Sequence, residues 1–267
     1  MKKYRLYFTL TLNHQLQYRA AVYAGVLTQF FWGLLQILLY HALYISNPAA
    51  SPMTLEQLAS YFWLQQAFMT LFMTWFLDQD ILDMIATGNI AYELCRPIDL
   101  YNVWFVKSMS NRFSKALLRF FPILIAASLL PKPYKFLWTQ PPLQLIFFSI
   151  SLISGFLVVV AFTMLIYVLT MLTLSPIGLR IVALSLMEFL SGGIIPLPFL
   201  PDHIRRYVEW LPFASMQNTP FRIYSGHISG SGVFSAIGLQ WFWLVILLLV
   251  GKVLMQMALR HAVVQGG

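Results

Sequence analysis

Charge is what this chain of 267 residues has least of: Asp, Glu, Lys and Arg together make up 10% of it. A soluble domain carries about 25% charged residues and at most about half apolar ones, whereas here 59% are hydrophobic. Nine acids and seventeen bases cannot keep a chain of 30.7 kDa in water. That composition excludes an ordinary cytosolic enzyme and a disordered chain. The seventeen Lys and Arg are scattered singly rather than clustered, which argues against a nucleic-acid partner. A single cysteine, Cys95, excludes an internal disulfide framework and a thiolate metal site. The five histidines show no HxxxH or HExxH spacing, so no metal site is expected. No GxxxxGK[ST] phosphate loop occurs, and Gly226–Gly232, though rich in glycine, lacks its lysine. Neither GxSxG nor a close carboxylate pair lies in an apolar segment, so catalysis by this chain is not expected. What remains is an integral membrane protein.

Crossing the hydrocarbon core takes about 20 mostly apolar residues in a helix. Six stretches qualify: 22–45, 58–77, 113–130, 143–172, 181–200 and 236–259. The nearly unbroken apolar run 152–167 is unlike the alternation of a membrane β-barrel, so the expected class is all-α with six transmembrane helices. The Met-Lys-Lys-Tyr-Arg start resembles a signal peptide, but Arg19 interrupts it and no small-residue cleavage site follows. With the N-terminus inside, twelve Lys and Arg fall on the inner side and five on the outer side. That asymmetry predicts both termini in the cytoplasm.

Two regions outside the spans stand out. Tyr4, Phe8, Leu12 and Leu16 recur every four residues, which predicts an amphipathic interfacial helix within 1–21. Leu6, Leu10 and Leu12 also fit a period of two, and a simple extension of the first span is the alternative. From Gly192 and Gly193 onward, Pro196, Pro198 and Pro201 break any helix while the intervening residues stay apolar. Irregular backbone at membrane depth survives only when buried in protein or facing a water-filled cavity. An outer re-entrant hairpin between spans five and six meets both conditions.

Polar residues inside the spans form stripes. Gln29 and Gln36 lie two turns apart on one face, and Gln66, Thr70 and Thr74 share another. Such stripes either hold helices together or line a path for a partly polar solute. Glu188 is the one acid placed within a span. It is either a functional group or the partner of Arg119 or Lys115. The cytoplasmic loop 78–112 holds five of the nine acids. Within it Pro97 can open a short helix with Asp99 in its first turn, presenting Ile98, Tyr101, Trp104 and Phe105 below the membrane. An apolar, aromatic knob of this kind serves another protein, or else packs on the inner leaflet.

In this order the features resemble the permease subunits of type-2 (ABC-2) ATP-binding cassette exporters, in the short branch that works with a second permease and a separate ATPase. The residues that carry the resemblance follow the basic interfacial helix. They are the loop Ile85-Ala-Thr-Gly-Asn-Ile-Ala-Tyr-Glu-Leu-Cys-Arg-Pro-Ile98 and the stretch Leu190-Ser-Gly-Gly-Ile-Ile-Pro-Leu-Pro-Phe-Leu-Pro201, then Leu211-Pro-Phe213 and Pro220-Phe-Arg-Ile-Tyr-Ser-Gly226. The resemblance covers essentially the whole chain, and its motifs are too loose to name a substrate. It implies a single permease domain in a bacterial plasma membrane, docked on two ATPase subunits that bind ATP and Mg2+ in this chain's stead. A second permease, identical or different, would complete the path, with lipid around the pair. Arg96, Pro97, Asp99, Tyr101, Trp104 and Phe105 map onto the helix that couples to the ATPase. Gln29, Gln36, Gln66, Thr70, Thr74 and Glu188 would belong to the path. Gly192, Gly193, Pro196, Pro198 and Pro201 would shape the outer gate. The expected activity is export of an amphipathic solute by alternating access. An ion-coupled carrier using Glu188 and a non-transporting scaffold are the competing classes.

Overall fold

A computed structural model describes residues 8–9, 19–46, 51–73, 75, 77–95, 98–173 and 176–261. Among them every regular element is helical. The interfacial helix expected within 1–21 lies almost wholly outside the described residues, as do Thr74, Arg96 and Pro97.

Helix α1 (Arg19–Ser46) has no Pro and no acid, and it ends two residues before Pro48. Helix α2 (Leu55–Ala67) starts on a capping box, in which Gln57 N donates to Thr54 Oγ1 and Thr54 N to Gln57 Oε1. Every residue from 58 to 67 is buried. The expected second span, 58–77, is therefore not one helix. It breaks at Phe68, resumes for one turn as α3 (Met69–Phe72), and a separate α4 (Gln79–Ala86) follows. No Pro or Gly sits at this break, so the cause is tertiary.

After α5 (Ile90–Leu94) the chain enters α6 (Leu100–Ser128), capped by Asp99, whose carboxylate accepts from Asn102 N at 2.8 Å. This corrects the expectation of a short helix near Pro97 followed by a distinct span at 113–130. Nothing between Phe105 and Phe113 can stop a helix, so the two fuse into one rod of 29 residues. Helix α7 (Pro142–Thr173) is the hub, packing on α3, α4, α6, α8, α10 and α11. Helix α8 (Pro176–Leu190) stops ten residues earlier than the expected span 181–200. Gly192, at φ +81°, lets the chain turn, and Gly193 N and Ile194 N both donate to Glu188 O (3.1 and 3.2 Å). A 3-10 turn (Leu197–Phe199), α9 (Asp202–Val208), α10 (Asn218–Tyr224) and α11 (Ser231–His261) complete the chain.

Three of these helices are long and apolar enough to cross a membrane: Tyr23–Ser46, Pro142–Thr173 and Ser231–Arg260. Helix α6 has the length, but its first two-thirds carries Lys107, Arg112, Lys115 and Arg119. Helices α2 and α8, at 13 and 15 residues, are each shorter than a full crossing. The segment 213–221 is buried throughout, with α10 resting on α7 and α2. Gln144 of α7 closes the end of α10, donating Nε2 to Ile223 O (2.8 Å) and Tyr224 O (2.7 Å). Gln240 of α11 joins three elements. Its Nε2 donates to Ser151 O (3.0 Å) and Ser215 O (2.8 Å), while its Oε1 accepts from Ser151 Oγ (3.0 Å). Replacing Gln240 by Leu leaves two buried carbonyls and a hydroxyl without their partner. We expect a loss of about 2–4 kcal/mol, read from thermal unfolding in detergent.

A buried polar junction as candidate functional site

Besides the Gln240 junction, three further polar centres stand out among the described residues. The first is the seam between α1 and α2. Gln66 Nε2 donates to Gln36 Oε1 at 3.0 Å, and Gln29 Nε2 points at Met69 Sδ at 3.2 Å. Gly33 between them allows the approach, since a Cβ there would stand 2.8 Å from Gln66 Cγ. One residue from each expected stripe, Gln36 and Gln66, thus meets the other, and that contact holds the two helices together. Gln29 Oε1, Gln66 Oε1 and Thr70 Oγ1 are buried with no protein hydrogen-bond partner.

The second centre surrounds the end of α8. Gln65 of α2 donates to Gly193 O, and Gln217 Nε2 donates to Ser191 Oγ at 2.9 Å. Tyr61 Oη stands 3.4 Å from Gly192 O and 3.5 Å from Asn218 Oδ1. Of the expected gate residues, Gly192, Gly193, Pro196 and Pro198 are buried here, while Pro201 is exposed at the start of α9. Glu188 accepts from Trp75 Nε1 at 2.8 Å, and the alternative partner Arg119 lies instead against Gly25 of α1.

The third centre explains the break after α2. Arg112 of α6 is fully buried, and its Nη1 donates to Leu71 O (3.0 Å) and Met73 O (2.8 Å). Its Nη2 donates to Thr163 Oγ1 of α7 at 3.0 Å. The guanidinium therefore occupies the place where α3 runs out of helical partners. One turn away, Asp78 pairs with Lys107 (3.1 Å) and accepts from Asn111 Nδ2 (2.6 Å), while its N–H donates to Tyr167 Oη (2.8 Å). Reading the sequence missed this centre because it counted Arg112 and Lys107 as loop charges. The available signal was their place in a segment free of helix breakers.

The expected coupling residues divide. Tyr101 and Trp104 do not form an exposed knob: they are 3% and 1% exposed, packed among Ile166, Tyr167, Met255 and Ala258. Gly251 of α11 makes room for Tyr101, since a Cβ there would meet its hydroxyl at 2.6 Å. Asp99 is the helix cap, and Phe105 stacks on Tyr101 with ring centroids 6.4 Å apart. What this loop exposes is Tyr92 (75%) and Leu94 (39%) on α5. Among the described residues no group of three or more His, Cys, Asp or Glu could hold a metal.

Apolar helices of membrane-spanning length around buried polar centres define a multi-pass α-helical membrane protein. The profile of one family, described as "ABC-2 family transporter protein", matches residues 30–266. The chain belongs to the ABC-2 transporter family, whose permeases generally work with ATPase partners. No curated protein and no solved structure matches it.

Proposed function

We propose that this chain is the permease of an ATP-driven exporter and forms half of a translocation path for an amphipathic solute. The observation that carries this reading is the family match across nearly the whole chain. Hydrolysis is assigned to two separate ATPase subunits that bind ATP and Mg2+, in keeping with the missing phosphate loop. The six crossings would be α1, α2 with α3, α6, α7, α8 and α11, with both termini cytoplasmic in a bacterial plasma membrane. The segment 192–235 would form the outer re-entrant gate. A second permease, identical or different, would cover part of the apolar outward faces of α1 (Phe31, Trp32, Leu35) and α8 (Ile181, Val182, Phe189), all exposed in the single chain.

The geometry supports a route for coupling. A force on the loop around Tyr92 reaches α6 at its Asp99 cap. Because residues 100–121 of α6 run without a break up to Pro122, that force tilts this part of the helix as a unit. Arg112, twelve residues along, carries the end of α3 with it, and α2 adjoins both the Gln29–Gln36 seam and the Gly192–Gly193 turn. The acceptor oxygens of Gln29, Gln66 and Thr70 then suit the polar part of the solute. The ligand does work only if it binds the inward and outward states differently.

Native mass spectrometry of the protein drawn gently from its own membrane tests the assignment. Two ATPase and two permease chains in one complex are expected, and Tyr92→Ala should cut the bound ATPase about tenfold or more. A lone monomer or dimer, indifferent to ATP, would transfer the assignment to an ion-coupled carrier built on Glu188.

A further inference from the structure

Glu188 is a carboxylate without a cation. It stands eight residues beyond Arg180, the last base on α8, which is about 12 Å further along the helix. With α8 as a crossing, that lies well inside a hydrocarbon core about 30 Å thick, too deep for a short side chain to reach the interface. Among the described residues no Lys, Arg or His pairs with it. Its carboxylate accepts one hydrogen bond there, from Trp75 Nε1 to Oε1 at 2.8 Å, and the second oxygen has no described partner. A charged side chain at such depth faces a cavity or a partner of opposite sign.

The surroundings narrow the choice. Ile181, Leu184 and Ser185 share the face of α8 that carries Glu188, at spacings of seven, four and three. Ile181 and Ser185 are exposed and Leu184 is half-buried, so an apolar strip leads up to the carboxylate. Trp75 is 48% exposed, and its indole is bound to the carboxylate by its edge alone. A second copy of the chain brings no counter-charge from α1 or α8, because neither 20–46 nor 181–204 contains a Lys or Arg. Water would hydrate the carboxylate but gain nothing from the ring or the strip. A carboxylate, an indole ring and an apolar strip together suit a cation with an apolar body.

We propose that Glu188 and Trp75 bind the cationic centre of the transported solute, which makes lipophilic cations the substrate class. The carboxylate takes the charge, the indole ring flanks it, and the apolar part of the solute lies along Leu184 and Ile181. This deepens the permease reading and rests on it. Ile181 belongs to the outward face assigned to the permease pair, so the site lies where the two halves meet.

The test is saturable binding of tetraphenylphosphonium, and of its isosteric anion tetraphenylborate, to the protein drawn from its own membrane with its subunits. Wild type should bind the cation about tenfold or more tighter than the anion. Glu188→Gln keeps the size and the acceptor for Trp75, and should weaken the cation about tenfold while leaving the anion unchanged. Glu188→Asp should keep part of the affinity, and Asp83→Asn, at an exposed acid on α4, should change nothing. Equal affinity of wild type for the two ions, or undiminished cation binding by Glu188→Gln, would overturn the proposal. If that variant does not fold, carbodiimide labelling of wild type decides: tetraphenylphosphonium should protect Glu188 where tetraphenylborate does not, and absence of protection would refute the site. Binding needs neither ATP nor an ATPase, so failure here leaves the exporter assignment standing, and loss of the ATPase partnership leaves the binding result intact.

Discussion

Arg112→Met should unfold at a temperature roughly 10 °C or more below wild type, the largest single side-chain effect in the molecule. The side chain is fully buried and makes three hydrogen bonds, two to the carbonyls of Leu71 and Met73 and one to Thr163. Hydrogen bonds from a charged donor contribute about 1.5–3 kcal/mol each. Removing the cation also relieves the cost of keeping it out of water, which offsets part of that sum. The carbonyls, however, then stand orphaned in a dry interior. The net loss should be about 3–5 kcal/mol, since Met fills the volume without supplying a donor. For a chain of this size that corresponds to the temperature shift above. Arg112→Lys retains the charge but lacks the fork that serves two carbonyls and a hydroxyl together, so about half the loss should remain. An unchanged midpoint for Arg112→Met would mean that the end of α3 is held by other contacts.

Gly155→Ala should be nearly as damaging, although it adds one carbon. A Cβ at Gly155 would come within 2.2 Å of Met216 O and 3.1 Å of Ser215 O. These are backbone atoms of the buried turn 213–217, and Gln240 fixes that turn by accepting no slack: it binds Ser215 O and Ser151 at once. Relief requires α7 and the turn to separate, which costs at least about 2–3 kcal/mol in a close-packed core. Two other glycines make the comparison. Gly251→Ala meets the hydroxyl of Tyr101 at 2.6 Å, the end of a side chain that can shift, and should cost less. Gly238→Ala meets nothing within 4 Å and sits inside α11. It should be neutral or stabilise by up to about 1 kcal/mol. Unfolding midpoints of the three variants in one detergent give the ranking. If Gly155→Ala matches Gly238→Ala, the close contact between α7 and the 213–217 turn does not exist in the native protein.

Both expectations concern contacts that cross long stretches of chain, and that is where reading the residues in order ran out. The membrane class, the three long apolar spans and the family were legible because each rests on local properties. Apolar runs such as 152–167 report their own burial, and the stripe at Gln29, Gln36 and Gln66 lies on faces that helical periodicity defines. The end of α8 was legible as a helix breaker at Gly192. Its boundary was not, because the bond pattern that ends α8 on Glu188 O depends on the conformation of the turn itself.

Other features were settled by tertiary structure. The break at Phe68 carries no Pro or Gly, and it exists because a guanidinium 41 residues from Leu71 satisfies the carbonyls that a continuing helix would have bonded. Tyr101 and Trp104 have the spacing of a surface knob, yet α7 and α11 cover them, so which face of α6 is wet was decided by its neighbours. Composition and periodicity determined that this chain lives in a membrane as helices. Where those helices stop, and which polar groups stand at their ends, depended on partners far away in sequence. A backbone carbonyl in a dry interior must find a donor, and nothing local to it says where that donor comes from.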